Sequence, residues 1–175
     1  MGNNMPEALQ RAFEFERHGA RFYLELAAAT QNRLARRLLN SLAKDEVQHV
    51  MDIDEIYQSL KDGYELPKSM DRDSQKTLED NIKTFFQHLD KETLRDDLTD
   101  VETLKLAMET ERRGYRMYHE AMNSTEDENL KKFFKLLRDE EKEHLVALEN
   151  VYYYLTNPSD WFAQTESQVW NWMNS

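Results

Sequence analysis

Asp45-Glu46-Val47-Gln48-His49 returns 95 residues later as Glu140-Glu141-Lys142-Glu143-His144. The same offset carries Glu16 onto Glu111, Gly19 onto Gly114 and Tyr23 onto Tyr118. The chain thus holds two copies of one unit: a Glu, a Tyr seven residues on, and a Glu-x-x-His thirty residues after that first Glu. Residues three apart share a helix face, so Glu46 with His49, and Glu141 with His144, can each grip one ion. Two units supply four carboxylates and two imidazoles, which is the inventory of a metal site.

The rest of the chain reads as a scaffold for those residues. Its 175 residues suit one domain with a sizeable core. Four glycines and three prolines punctuate long stretches of helix-forming residues, so the expected class is all-α. A net charge of −11 argues against nucleic acid or an anionic membrane as a partner. With no cysteine, disulfides, thiolate catalysis, iron–sulfur clusters and Cys-based zinc sites are excluded. No signal-like segment opens the sequence and no apolar run nears the ~20 residues that span a bilayer. The expected location is cytoplasmic.

Four long helices are predicted. The first runs from about Met5 to Thr30 with Pro6 in its first turn, on the stripe Leu9, Phe13, Glu16, Ala20, Tyr23 and Ala27. The second runs from about Arg33 to Leu60, on Leu39, Leu42, Glu46, His49, Ile53, Ile56 and Leu60, ending at Asp62-Gly63. A long connection around Pro67 contains a short helix on Leu78, Ile82, Phe85 and Leu89. Thr99-x-x-Glu102 is a capping-box candidate for the third long helix, whose stripe is Leu104, Met108, Glu111, Tyr115, Tyr118 and Met122. Ser124 or Thr125 is expected to cap the fourth. Its stripe is Leu130, Phe134, Leu137, Glu141, His144, Leu148, Val151 and Leu155, and it should stop near Thr156. Two hairpins and a crossover describe a four-helix bundle over residues 1–156. Residues 157–175 form an aromatic helical tail, bearing Trp161, Trp170 and Trp172, expected to pack on the bundle or on a partner subunit.

Each motif alone means little, since a single Glu-x-x-His in an acidic helical protein is ordinarily solvated surface. Six ligand-type residues in phase with apolar stripes are different, because carboxylates buried without a cation lose their water. The expected ligands are Glu16, Glu46, His49, Glu111, Glu141 and His144. Glu16 and Glu111 serve as bridging or terminal carboxylates, and Glu46/His49 and Glu141/His144 as chelating pairs. Oxygen-rich ligation with imidazole suits iron or manganese, with zinc as a substitute. Two metals ~3.5–4 Å apart can take oxygen or peroxide between them and deliver two electrons. Glu140 competes for the fourth-helix role, but the repeat aligns it with Asp45 and selects Glu141. Asp45 and Glu140 are expected to accept the outer N–H of His144 and His49. Tyr23 and Tyr118 are the candidate catalytic residues, placed to hydrogen-bond a ligating carboxylate. Gly19 and Gly114 leave room for a small oxidant. His18, His88 and His119 fall off the repeat and read as surface.

Glu16-x-x-Gly19-x-x-x-Tyr23, Asp45-Glu46-x-x-His49, Glu111-x-x-Gly114-x-x-x-Tyr118 and Glu141-x-x-His144, spread over about residues 5–155, resemble the rubrerythrin branch of the ferritin-like superfamily. That resemblance implies a ferritin-like bundle, two iron ions, a frequent homodimer, and peroxide reduction in oxidative-stress defence. Two departures shape the expectation. A rubredoxin-like centre needs four cysteines, so electrons must come from a separate donor such as a rubredoxin-like protein. Strongly peroxidatic members also carry an extra glutamate where this chain has Gly114, which turns the expectation towards oxidase or ferroxidase chemistry. Iron storage and a metal-stabilised structural bundle are the alternatives.

Overall fold

The computed structural model describes residues 5–62 and 98–158. Among these there are four helices and no strand: α1 (Glu7–Ala29), α2 (Arg33–Asp62), α3 (Leu98–Ser124) and α4 (Glu128–Thr156). The architecture is the all-α, ferritin-like bundle expected. The short helix expected in the crossover lies outside the described residues, as does the expected aromatic tail from residue 159 onwards. No helix among the described residues is long and apolar enough to cross a membrane.

Helix boundaries follow local chemistry. Pro6 sits just before α1 rather than in its first turn, and its carbonyl accepts from Gln10 N at 3.0 Å. The turn into α2 is closed by Asn32, whose Oδ1 accepts the N–H groups of Leu34 and Ala35 at 2.9 and 3.1 Å. Arg36 donates through Nε and Nη2 to the Thr30 carbonyl at 3.0 and 2.6 Å, satisfying the end of α1. For α4 the cap is Asp127, which accepts from Asn129 N and Leu130 N. Ser124 and Thr125 are not the cap: Ser124 is the last residue of α3, and Thr125 Oγ1 supports the turn by accepting from Asp127 N at 3.3 Å. Thr99, the capping-box candidate, is already the second residue of α3.

Asn32 and Asp127 are themselves 95 residues apart, so the repeat extends to the turns. One feature breaks it. Buried Asp100, from α3, accepts the backbone N–H groups of Gln31 and Asn32 at 2.9 and 2.7 Å and ties the first turn to the second hairpin. Asp100→Ala would strand both donors and is expected to cost about 2–3 kcal/mol, read as a lower urea midpoint at unchanged slope.

Within each hairpin, α1 packs closely on α2 and α3 on α4, while α1–α3 and α2–α4 contacts are sparser. The gap between hairpins is filled by two apolar clusters separated by a polar layer. One cluster gathers Tyr23, Leu39, Leu42, Leu104, Leu148 and Val151 among others. The second gathers Leu9, Ile53, Ile56, Tyr118, Phe133, Phe134 and Leu137 among others. Glu16, Glu46, His49, Glu111, Glu141 and His144 lie between them, all buried and all near mid-helix. Helix ends can borrow water; mid-helix charges in a bundle cannot.

Candidate metal centre

The structure brings the six residues together as two overlapping donor groups. Glu16, Glu46, His49 and Glu141 each offer an atom within 4.8 Å of the others, and so do Glu46, Glu111, Glu141 and His144. Glu46 and Glu141 belong to both groups, whereas Glu16 and Glu111 each belong to one. The geometry thus separates two positions the spacing left open: Glu46 and Glu141, on α2 and α4, would reach both of two ions, and Glu16 and Glu111, on α1 and α3, one each. The His49 and His144 rings lie nearly parallel with centroids 5.8 Å apart.

Both imidazoles point Nδ1 inward and Nε2 outward. His49 Nδ1 lies 3.2 Å from Glu16 and 3.3 Å from Glu46, and His144 Nδ1 lies 3.5 Å from Glu111. On the outside, Glu140 stands 3.1 Å from His49 Nε2 and Asp45 stands 3.6 Å from His144 Nε2. These carboxylates come from the opposite hairpin and can fix each ring's orientation. The tyrosines also act across the pseudo-two-fold. Tyr23 donates to Glu111 Oε1, and Tyr118 donates to Glu16 Oε1. Of the remaining histidines, His18 and His119 are exposed and His88 lies outside the described residues.

Electrostatics record the crowding. Burial pushes Glu46 and Glu141 well above the usual carboxylate range, and neighbouring carboxylates push further, Glu16 on Glu46 and Glu111 on Glu141. Burial is the largest single influence and opposes the charged form of His49 and His144. The surrounding carboxylates together overcome it, Glu16 with Glu140 and Glu46 around His49 and Glu111 with Asp45 and Glu46 around His144, and both imidazoles are held well above their ordinary range. Burial acts to raise Glu16 as well, but His49 and the hydrogen bonds around it hold that carboxyl below normal. Both tyrosine hydroxyls are pushed up by burial and by the carboxylates they serve, so they stay protonated donors.

The donor set fits a pair of cations on a direct observation. Glu111 Oε2, Glu141 Oε1 and His144 Nδ1 are buried and have no hydrogen-bond partner among the described residues. Leaving such atoms unpaired costs about 1–3 kcal/mol each, a cost that a shared cation removes. Thiolates are absent and carboxylates dominate, which suits iron or manganese.

The glycines behave differently from each other. A Cβ on Gly114 would collide with the Glu141 carboxylate, lying 2.7 Å from its Cδ, and would stand 2.9 Å from Phe15 Cε1. At Gly19 the nearest atoms are those of Glu46 at 3.5 Å, an ordinary contact. The space expected beside Gly114 is therefore occupied by Glu141 itself. Phe15, half-buried and edge-on to Tyr118 at 6.4 Å, completes that wall and was not singled out from the sequence. Gly114→Ala is expected to lower stability by about 1–3 kcal/mol through overpacking and to displace Glu141. Gly19→Ala should be neutral or stabilising by up to about 1 kcal/mol, since it removes a helical glycine. Parallel thermal melts distinguish the two.

A four-helix bundle whose hairpin interface holds two overlapping carboxylate–imidazole groups belongs to the ferritin-like dinuclear-metal class. The family model described as Rubrerythrin matches residues 7–152, and the chain belongs to that family. Neither a curated protein nor a solved structure matches it.

Proposed function

We propose that the protein is a non-haem di-iron oxidoreductase that reduces oxygen or hydrogen peroxide, in oxidative-stress defence or iron handling. The observation that carries this reading is the pair of buried donor groups sharing Glu46 and Glu141. Two iron ions bound there would supply two electrons to an oxidant in one encounter. Glu16 and Glu111 cap the two ends, each fixed by the hydroxyl of Tyr118 or Tyr23. Asp45 and Glu140 hold the imidazoles in register from outside. The apolar clusters on either side limit water and keep the carboxylates in a low-dielectric setting, where charge is best matched by cations.

Gly114 and the carboxylate packed against it leave no place for a fifth acidic ligand at that position of α3, which favours oxidase or ferroxidase turnover over a dedicated peroxidase. With no cysteine in the sequence, electrons would come from a separate carrier. The proposal extends to a cytoplasmic homodimer, to be measured by sedimentation; a closed cage in the same measurement would instead favour iron storage. The activity test is stopped-flow mixing of anaerobically iron-loaded protein with peroxide and with oxygen. Oxidation faster than that of free ferrous iron is expected; equal rates would leave the bundle a structural metal protein.

A further inference from the structure

The two donor groups are not equally ready, and we infer that the protein fills them in order. The first divalent cation binds, more tightly, at Glu46–Glu111–Glu141–His144, and the second follows at Glu16–Glu46–His49–Glu141. This rests on the reading that the six side chains take two cations.

Among the described residues, three buried side-chain atoms lack a hydrogen-bond partner: Glu111 Oε2 and His144 Nδ1, which belong to the Glu46–Glu111–Glu141–His144 group alone, and Glu141 Oε1, which both groups share. There His144 Nδ1 stands 3.5 Å from Glu111 Oε2 and 3.8 Å from Glu46 Oε1, so the inner atoms face one another across a gap rather than bond. A cation entering that gap displaces only these two long ion pairs. The α1–α2 side is closed on itself. His49 Nδ1 is held at 3.2 Å by Glu16 Oε2 and at 3.3 Å by Glu46 Oε2. The tyrosine bonds do not distinguish the sides, since Glu16 accepts from Tyr118 as Glu111 does from Tyr23; the imidazoles do, and Glu140 holds the far side of His49 at 3.1 Å. A cation can enter here only after His49 gives up both inner contacts. Its repeat partner is held more loosely outside as well, with Asp45 at 3.6 Å.

The shared carboxylates make the order sequential. Glu141 already packs against α3 at Gly114, so one of the two shared carboxylates is held in place from the start. Drawing Glu46 towards the first cation takes it away from His49, which loosens the closed side for the second. The repeat makes the two halves look interchangeable; their contacts make them a leading and a following site.

The test is a titration of metal-free protein with Co2+, followed by visible absorption and calorimetry. Two phases of one equivalent each are expected, the first about tenfold tighter or more, since the second must displace two hydrogen-bonded contacts. His144→Gln should abolish the tight phase, while His49→Gln should keep one tight equivalent. Anomalous scattering from wild-type crystals carrying one equivalent needs no variant and should place the cobalt beside His144. A single phase taking up two equivalents together, or a first cobalt beside His49, overturns the inferred order while leaving the two-cation centre intact. Failure of wild-type protein to bind cobalt at all would sink the centre itself and the order with it.

Discussion

Loading the protein with a divalent cation is expected to raise its unfolding temperature by about 15 °C or more at pH 8, and by less than about half as much at pH 5. The reason lies in the protons the metal-free centre holds. Glu46 and Glu141 are pushed up by burial and by their carboxylate neighbours. His49 and His144 are held up, against burial, by the carboxylates that surround them, chiefly Glu16 and Glu111. The native metal-free chain therefore keeps protons that the unfolded chain has released above the ordinary values of 4.5 for Glu and 6.5 for His. A native state that binds more protons loses stability as pH rises, at about 1.4 kcal/mol per proton per pH unit. Glu16, held below its ordinary value, has the opposite sign, but it is one group against four. Cations reverse the balance, since they bind the deprotonated ligands and gain affinity as pH rises. Each site filled to about a thousand times its dissociation constant adds about 4 kcal/mol. Calorimetry of loaded and chelator-treated protein across pH 5–8 measures the gap directly. A gap independent of pH, or a metal-free form that gains stability over this range, would contradict the account.

Much of this was legible before any coordinates. All four helices and the six converging side chains follow from one offset, because a repeat in phase with apolar stripes leaves few ways to bury both halves. The offset chose Glu141 over Glu140, and the structure places Glu141, not Glu140, in both donor groups. Applied to the turns, it would also have paired Asn32 with Asp127 and shown that the Asx residue, not Ser124 or Thr125, caps α4. What no offset could show is whatever the two halves do not share. Asp100 has Met5 at its repeat position, so its clamp on the first turn has no internal precedent. Phe15 maps onto Thr110, so the wall beside Gly114 has no mirror image either. That Glu46 and Glu141 belong to both donor groups, and Glu16 and Glu111 to one each, was also hidden, since spacing puts a residue on a face without saying which neighbour it will reach.

That division predicts the largest loss available from a single chemical change. Glu46→Gln combined with Glu141→Gln should reduce bound cation from two equivalents to none at micromolar concentrations, and ferrous oxidation should fall to the rate of free iron. Both residues belong to both donor groups, so each substitution weakens both positions. Glu16→Gln or Glu111→Gln removes a donor from only one group and should leave one equivalent bound. The double variant should nevertheless fold. In the metal-free protein the two bridging carboxyls are already driven towards the neutral form by burial, and an amide of similar size imitates that form. It also takes away negative charge that repels Glu16 and Glu111 at high pH. Metal-free stability is therefore expected to stay within about 1 kcal/mol of wild type at pH 5 and to exceed it at pH 8. The residues most needed for the cations are thus those whose ionised form the bare fold can least accommodate. Metal analysis alongside urea melts tests both halves of the claim. A double variant that keeps a full complement of metal, or terminal variants that lose as much as the bridging pair, would show the bridges to be wrongly assigned.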